Sequence, residues 1–135
     1  MPHHFQQTCA YFTASRYMRA AERQADSIFA PTGLKPAYSY IMLTLFDQHP
    51  QSVTSLADEL RYERSSISRM VKTLSGRNLV RLTSIGRTTQ VDLGPDADSW
   101  LPTAEACLSQ WSKTTDALFG NEKRVMVDAL VANTR

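Results

Sequence analysis

Apolar residues recur with helical spacing over most of the chain and with strand-like spacing over one short stretch. Phe5, Cys9 and Phe12 follow steps of four and three, and Met18, Ala21, Ala25, Ile28 and Phe29 continue that face. The pattern predicts one long amphipathic helix over residues 5–29, ended by Pro31-Thr32-Gly33. A second helix, about 36–48, starts on a proline, which a first helical turn tolerates. Tyr40, Ile41, Leu43, Leu45 and Phe46 make it apolar nearly all round, as expected of a helix buried at the centre of a domain. After His49-Pro50-Gln51, a short helix over VTSLADEL puts Val53, Leu56, Ala57 and Leu60 on one face, with Thr54 or Ser55 placed to cap its start. Three residues, Arg61-Tyr62-Glu63, separate it from a fourth helix over about 64–76. There Ile67, Met70, Val71 and Leu74 repeat at i, i+3, i+4 and i+7. Ser75-Gly76 and Asn78 are its stop signals, with the glycine suited to a left-handed C-cap.

The period then changes. Leu79–Thr83 and Thr88–Leu93 are short, β-branched-rich segments on either side of Ser84-Ile85-Gly86-Arg87, which predicts a β-hairpin with a compact tip. Gly94-Pro95-Asp96 reads as a helix start. The fifth helix, about 96–119, carries Trp100, Ala104, Leu108, Trp111, Leu118 and Phe119, with Pro102 in its early turns as a bend or a later start. Asn121 is placed to cap a last helix bearing Val125, Met126, Ala129 and Leu130. The predicted fold is mostly α with a small β-hairpin wing: four helices, the hairpin, then two helices.

Composition narrows the class. A chain of 135 residues with 42% hydrophobic and 21% charged residues is expected to form one globular unit. No run of about 18 apolar residues suggests a membrane span, and MPHHFQQT lacks the features of a secretory signal, so a cytoplasmic location is expected. Cys9 and Cys107 form no metal-binding or disulfide pattern. There is no Gly-rich phosphate loop and no Ser/His/Asp set, and His3, His4 and His49 fall at a terminus and in a loop. Neither an enzyme nor a cofactor is called for.

Charge distribution is more informative than the net charge of +2. Residues 61–91 hold seven Arg and Lys against a single acid, Glu63, a net +6 in a chain whose remainder sums to −4. A basic block of this kind is the footprint of a polyanion-binding face. It coincides with a helix, a tight turn and a second helix, the helix-turn-helix pattern whose second helix enters the major groove of DNA. Opposite the apolar seam of the 64–76 helix stand Arg64, Ser65, Ser66, Ser68, Arg69, Lys72 and Thr73. Short hydroxyls allow close approach to base edges, and the cations reach phosphates or guanine. Arg87 at the hairpin tip has the reach to enter a minor groove, with Thr88 and Thr89 beside it for phosphates.

The strings LKPAYSYIMLTLFDQHP and SVTSLADELRYERSSISRMVKTLSGRNLVRL, with the hairpin and long helix after them, resemble the MarR family of bacterial transcription regulators. The resemblance covers nearly the whole chain and is most specific in RSSISRMVKTL. It implies a winged helix-turn-helix over residues 31–94, flanked by a helical dimerisation part, residues 1–30 and 95–135. Ser65, Ser66, Ser68 and Arg69 would then contact bases or phosphates and Arg87 would be the wing arginine. Three positions depart from the family pattern. The wing is about three residues shorter, with Ile85 in place of an acid two before Arg87; Arg61 stands where glycine is common; and Gly94-Pro95-Asp96 replaces the usual Leu-Thr entry.

The implied function is a DNA-binding regulator, commonly a repressor, acting as a homodimer through the first, fifth and sixth predicted helices on a pseudo-palindromic site. The apolar supply of those helices, Phe5, Phe12, Trp100, Trp111, Leu118, Phe119, Met126 and Leu130, exceeds what one small domain needs. The resemblance also implies an effector, either a small phenolic or aromatic ligand near Arg16, Tyr38 and Tyr40, or oxidation of Cys9 with Tyr11 and Tyr38 nearby. The alternative is a winged-helix protein-interaction module that does not bind DNA.

Overall fold

The computed structural model describes residues 2–134. Its helices are α1 (Phe5–Thr8), α2 (Ala10–Ile28), α3 (Pro36–Asp47), α4 (Val53–Leu60), α5 (Arg64–Gly76), α6 (Ala97–Phe119) and α7 (Glu122–Asn133). The strands are β1 (Gln51–Ser52), β2 (Val80–Ile85) and β3 (Thr88–Leu93). The three strands form an antiparallel sheet in the order β1-β3-β2. Val80 faces Leu93 at the base of the hairpin, Ile85 faces Thr88 at its tip, and Gln51 faces Val91 across the other edge.

The core is made where the period of each element turns inward. Ile41, Met42 and Leu45 of α3, Leu56 of α4, and Ile67, Val71 and Leu74 of α5 are all buried. Val91 from the sheet and Leu101 from α6 complete the cluster. Trp100 packs against it and donates its indole N–H to the Thr32 carbonyl (3.0 Å), tying α6 to the turn after α2. The first half of α6 therefore belongs with the winged unit, so the division drawn at residue 94 runs through the core. α6 continues through Pro102 from a start at Ala97.

Four local expectations are corrected. The first helix is interrupted at Cys9, which is extended (φ −87°, ψ 117°), and the second segment ends at Ile28. Cys9 Sγ accepts the Phe12 N–H (3.4 Å) and so caps α2, while the Thr8 hydroxyl closes the preceding turn onto the His4 carbonyl (2.9 Å). These side chains compete with the main chain for its hydrogen bonds, which breaks a helix that apolar spacing alone would continue. The cap of α4 is Ser52, whose Oγ accepts the Ser55 N–H (3.0 Å), and not Thr54 or Ser55. At the end of α5 the left-handed residue is Asn78 (φ 61°), and Gly76 remains helical. Asn121 stands at the N-cap of α7 without a side-chain bond.

Candidate nucleic-acid interface

The helix-turn-helix is α4, the turn at residues 61–63, and α5. Arg61 adopts a left-handed conformation (φ 60°, ψ 38°), the geometry for which glycine is favoured in such a turn. Its N–H bonds the Ala57 carbonyl at the end of α4, and Tyr62 N–H reaches the same acceptor (3.0 Å). That closure lets Glu63, extended, open α5. The buried Ile67, Met70, Val71 and Leu74 fix which way α5 is rolled. The roll leaves Arg64, Ser65, Arg69, Lys72 and Thr73 exposed, with Ser66 and Ser68 partly so.

Electrostatically this face is unopposed. Three ion pairs occur among the described residues, Lys35–Asp26, Lys123–Asp116 and Arg124–Asp128, and none uses a cation of the 61–91 block. Arg64 makes one long contact, Nη1 donating to Thr54 Oγ1 at 3.4 Å. The Thr73 hydroxyl donates back to the Arg69 carbonyl at 3.4 Å. The long side chains of Arg69 and Lys72 are otherwise available to an anion.

The wing is a tight hairpin whose loop is only Gly86-Arg87. Gly86 has φ +61° and open space about it, as a two-residue loop with glycine first requires. The Thr88 hydroxyl donates to the Ile85 carbonyl (2.8 Å), stiffening the tip. Arg87 and Thr88 are exposed, Thr89 is half-buried, and Ile85 projects with 55% of its surface in solvent. At the other end Gly94 N–H bonds the Leu79 carbonyl (2.9 Å) and Asp96 N–H the Asn78 carbonyl (3.0 Å), which anchors the hairpin to the end of α5.

A cleft of about 440 Å³ lies between α2, the start of α3, the α4–α5 turn and α6, within the size range of small-molecule sites. Tyr17, Tyr40, Tyr62 and Trp111 supply aromatic rings to it. Glu22, Asp26 and Lys35 supply its charges. Burial pushes the Tyr40 and Tyr62 phenols up from their ordinary value, with repulsion from Tyr62 adding to Tyr40. Asp26 accepts a hydrogen bond from Lys35 Nζ (2.6 Å), which raises the lysine's pKa. Of the three residues expected to line an effector site, Tyr40 does so; Tyr38 packs against the core cluster, and Arg16 is exposed and outside the cleft lining. Cys9 is half-buried at the start of α2, and Tyr11 is 85% exposed.

Sequence reasoning did not single out Glu22, Asp26, Lys35 or Tyr62, and it assigned Trp111 to a dimer surface. The signal for the first two was present: Met18, Ala21, Glu22, Ala25 and Asp26 share one stripe of α2 at i, i+3, i+4, i+7 and i+8. Tyr62 carried no periodic signal, because it lies in a turn.

No protein-family model and no curated protein matches the sequence. Solved structures do match in shape. The chain is similar to Bordetella bronchiseptica BpsR, whose DNA binding is described as regulated by 6-hydroxynicotinic acid (TM-score 0.76, 20% identity, 98% of this chain and 96% of that one). It is similar to the transcriptional repressor CouR bound to a 23-mer DNA duplex (TM-score 0.82, 19% identity, 98% and 96%). It is also similar to the M. tuberculosis transcriptional regulator MosR in complex with DNA (TM-score 0.78, 22% identity, 93% and 92%). The chain has the winged-helix fold of MarR-type regulators. The match spans the helical arms as well as the winged unit, since nearly all of this chain is covered.

Proposed function

We propose that the chain is a double-stranded-DNA-binding transcription regulator that recognises a pseudo-palindromic operator as a homodimer, represses from it in the cytoplasm, and is released by a small aromatic ligand. The observation that carries the reading is the outward face of α5. Arg64, Ser65, Ser66, Ser68, Arg69, Lys72 and Thr73 form a surface of hydrogen-bond donors without an acid or an ion-paired cation. A helix that merely faced water would mix acids with its bases. Arg87 and Thr88 at the wing add a second point of contact, to the backbone or minor groove beside the helix.

The dimer is supported by α1, α2 and α7, which bury no residue within one chain. Tyr17 and Phe119 meet edge-on (5.5 Å) where the arms begin, and beyond them Val125, Leu130 and Val131 are exposed. Tyr62 links cleft to DNA face: it lines the cleft and stands two residues before Arg64. An occupant pressing on Tyr62 acts on the turn that sets the position of α5. CouR and MosR bound to DNA, and BpsR with its small-molecule control, support the reading by analogy of fold.

The test begins with selection of bound fragments from the source genome, followed by affinity measurements across a salt series. Binding should fall steeply between 50 and 200 mM salt, and the Arg64/Arg69/Arg87 triple alanine variant should lose about three units of the logarithmic salt slope per subunit. Wild-type affinity and slope in that variant would place the binding face elsewhere. No selected fragments and negligible DNA affinity would favour a protein-interaction module.

A further inference from the structure

The charges inside the cleft do not suit an aromatic carboxylate. Its cation, Lys35, is held by Asp26 at 2.6 Å and is thereby neutralised as a pair. Glu22 remains, with no ion-pair partner among the described residues. The arginines of α2 do not compensate. Arg16, Arg19 and Arg23 are absent from the lining, and Arg19 is engaged with the Ser15 hydroxyl (2.8 Å). The net charge of the lining is therefore −1, set among apolar walls from Met18, Ala21 and Ala25. An anion entering it would lose hydration and meet a like charge.

The aromatic groups point the same way. Tyr17, Tyr40, Tyr62 and Trp111 line one cavity as uncharged rings, and burial of Tyr40 and Tyr62 disfavours their phenolates further. Neutral electron-rich rings attract a desolvated organic cation through their faces, and one carboxylate at the rim completes the match. We propose that the cleft binds an aromatic organic cation, such as a quaternary ammonium joined to a fused ring, with Glu22 as its counter-charge. The inference rests on the cleft being the effector site proposed above. It replaces an unspecified aromatic ligand with one of defined charge.

Three probes sharing a naphthalene ring isolate the charge: (2-naphthylmethyl)trimethylammonium, 2-naphthylacetate and 2-naphthaleneethanol. Each is titrated calorimetrically against the full chain without DNA. The cation should bind at least tenfold tighter than the carboxylate, with the alcohol between them. Glu22→Gln should remove most of the cation's advantage, and Glu22→Lys should reverse the order. Because Glu22 is exposed on α2, neither change empties a core, and circular dichroism on the same samples verifies the fold. Equal or tighter carboxylate binding, no cation binding, or an unchanged preference in Glu22→Gln would each overturn the proposal. DNA affinity is measured separately. Cation binding without DNA binding would sink the regulator and leave the cleft assignment standing; DNA binding without cation binding would do the opposite.

Discussion

The winged unit and the helical arms use apolar residues at similar spacing to opposite ends. In the winged unit the stripe is consumed: Ile41, Leu45, Leu56, Ile67, Leu74 and Val91 have no exposed surface. In the arms, α2 has a well-formed apolar stripe yet no fully buried residue, and α7 exposes Val125, Leu130 and Val131. Phe29, directly after α2, is the anchor between them, fully buried and edge-on to Tyr40 (centroids 6.0 Å). Amphipathicity shows that a face is meant to be covered. Whether this chain or a second copy covers it depends on what packs opposite.

The largest expected effect tests the self-sufficiency of the winged unit. Ile67→Ala removes a fully buried side chain from the inward face of α5. It should cost about 2–5 kcal/mol of unfolding free energy in a urea melt. Met18→Ala on α2, at a side chain 60% exposed in one chain, should leave the melt within about 0.5 kcal/mol at protein concentrations low enough to keep the chain monomeric. A comparable loss at both positions would abolish the distinction.

The arms are tested next. A Val125→Glu/Leu130→Glu variant puts charge on surfaces that are 70% and 45% exposed in one chain. It should raise the dimer dissociation constant about 100-fold, roughly 3 kcal/mol, by sedimentation equilibrium. An unaltered oligomeric state would show that α7 is a solvated face.

Two glycines sharpen the comparison within the winged unit itself. A Cβ at Gly94 would stand 2.5 Å from the Asn78 carbonyl oxygen and 2.8 Å from the Val80 nitrogen, all main chain, so Gly94→Ala should cost about 1–3 kcal/mol. At Gly76 nothing lies within 4 Å and the residue is helical. Gly76→Ala should therefore stabilise by up to ~1 kcal/mol through lower entropy of the unfolded chain.

What the sequence revealed follows from how local each cause is. The bounds of α4 and α5 were readable because their periodic apolar positions lie within the segments themselves, although the caps were misread: Ser52 caps α4, and Asn78 rather than Gly76 takes the left-handed conformation after α5. The break at Cys9 was not, because it depends on a thiol and a hydroxyl outcompeting a helix that the apolar spacing permits. β1 was missed for another reason: two residues carry no period, and only pairing of Gln51 with Val91 makes them a strand. The proposed DNA face was legible as a candidate because one helix carries most of it. The cleft draws on α2, α3, a turn and α6, so its charge became visible only when Glu22, Asp26 and Lys35 were brought together.

The smallest expected effect concerns Arg61, where stability and binding pull apart. A left-handed conformation disfavours any residue with a Cβ, so Arg61→Gly should relieve strain while increasing the freedom of the unfolded chain. The net change should be a gain of at most about 1 kcal/mol in the melt. Arg61 is exposed, ion-paired to nothing among the described residues, and carries a charge of the basic block just before α5. If that charge meets a phosphate, Arg61→Gly lowers DNA affinity and reduces the salt slope by about one unit per subunit, whereas Arg61→Lys keeps both. A gain in stability with unchanged affinity would instead mean that the arginine makes no DNA contact, and the electrostatic account of the turn would have to be withdrawn.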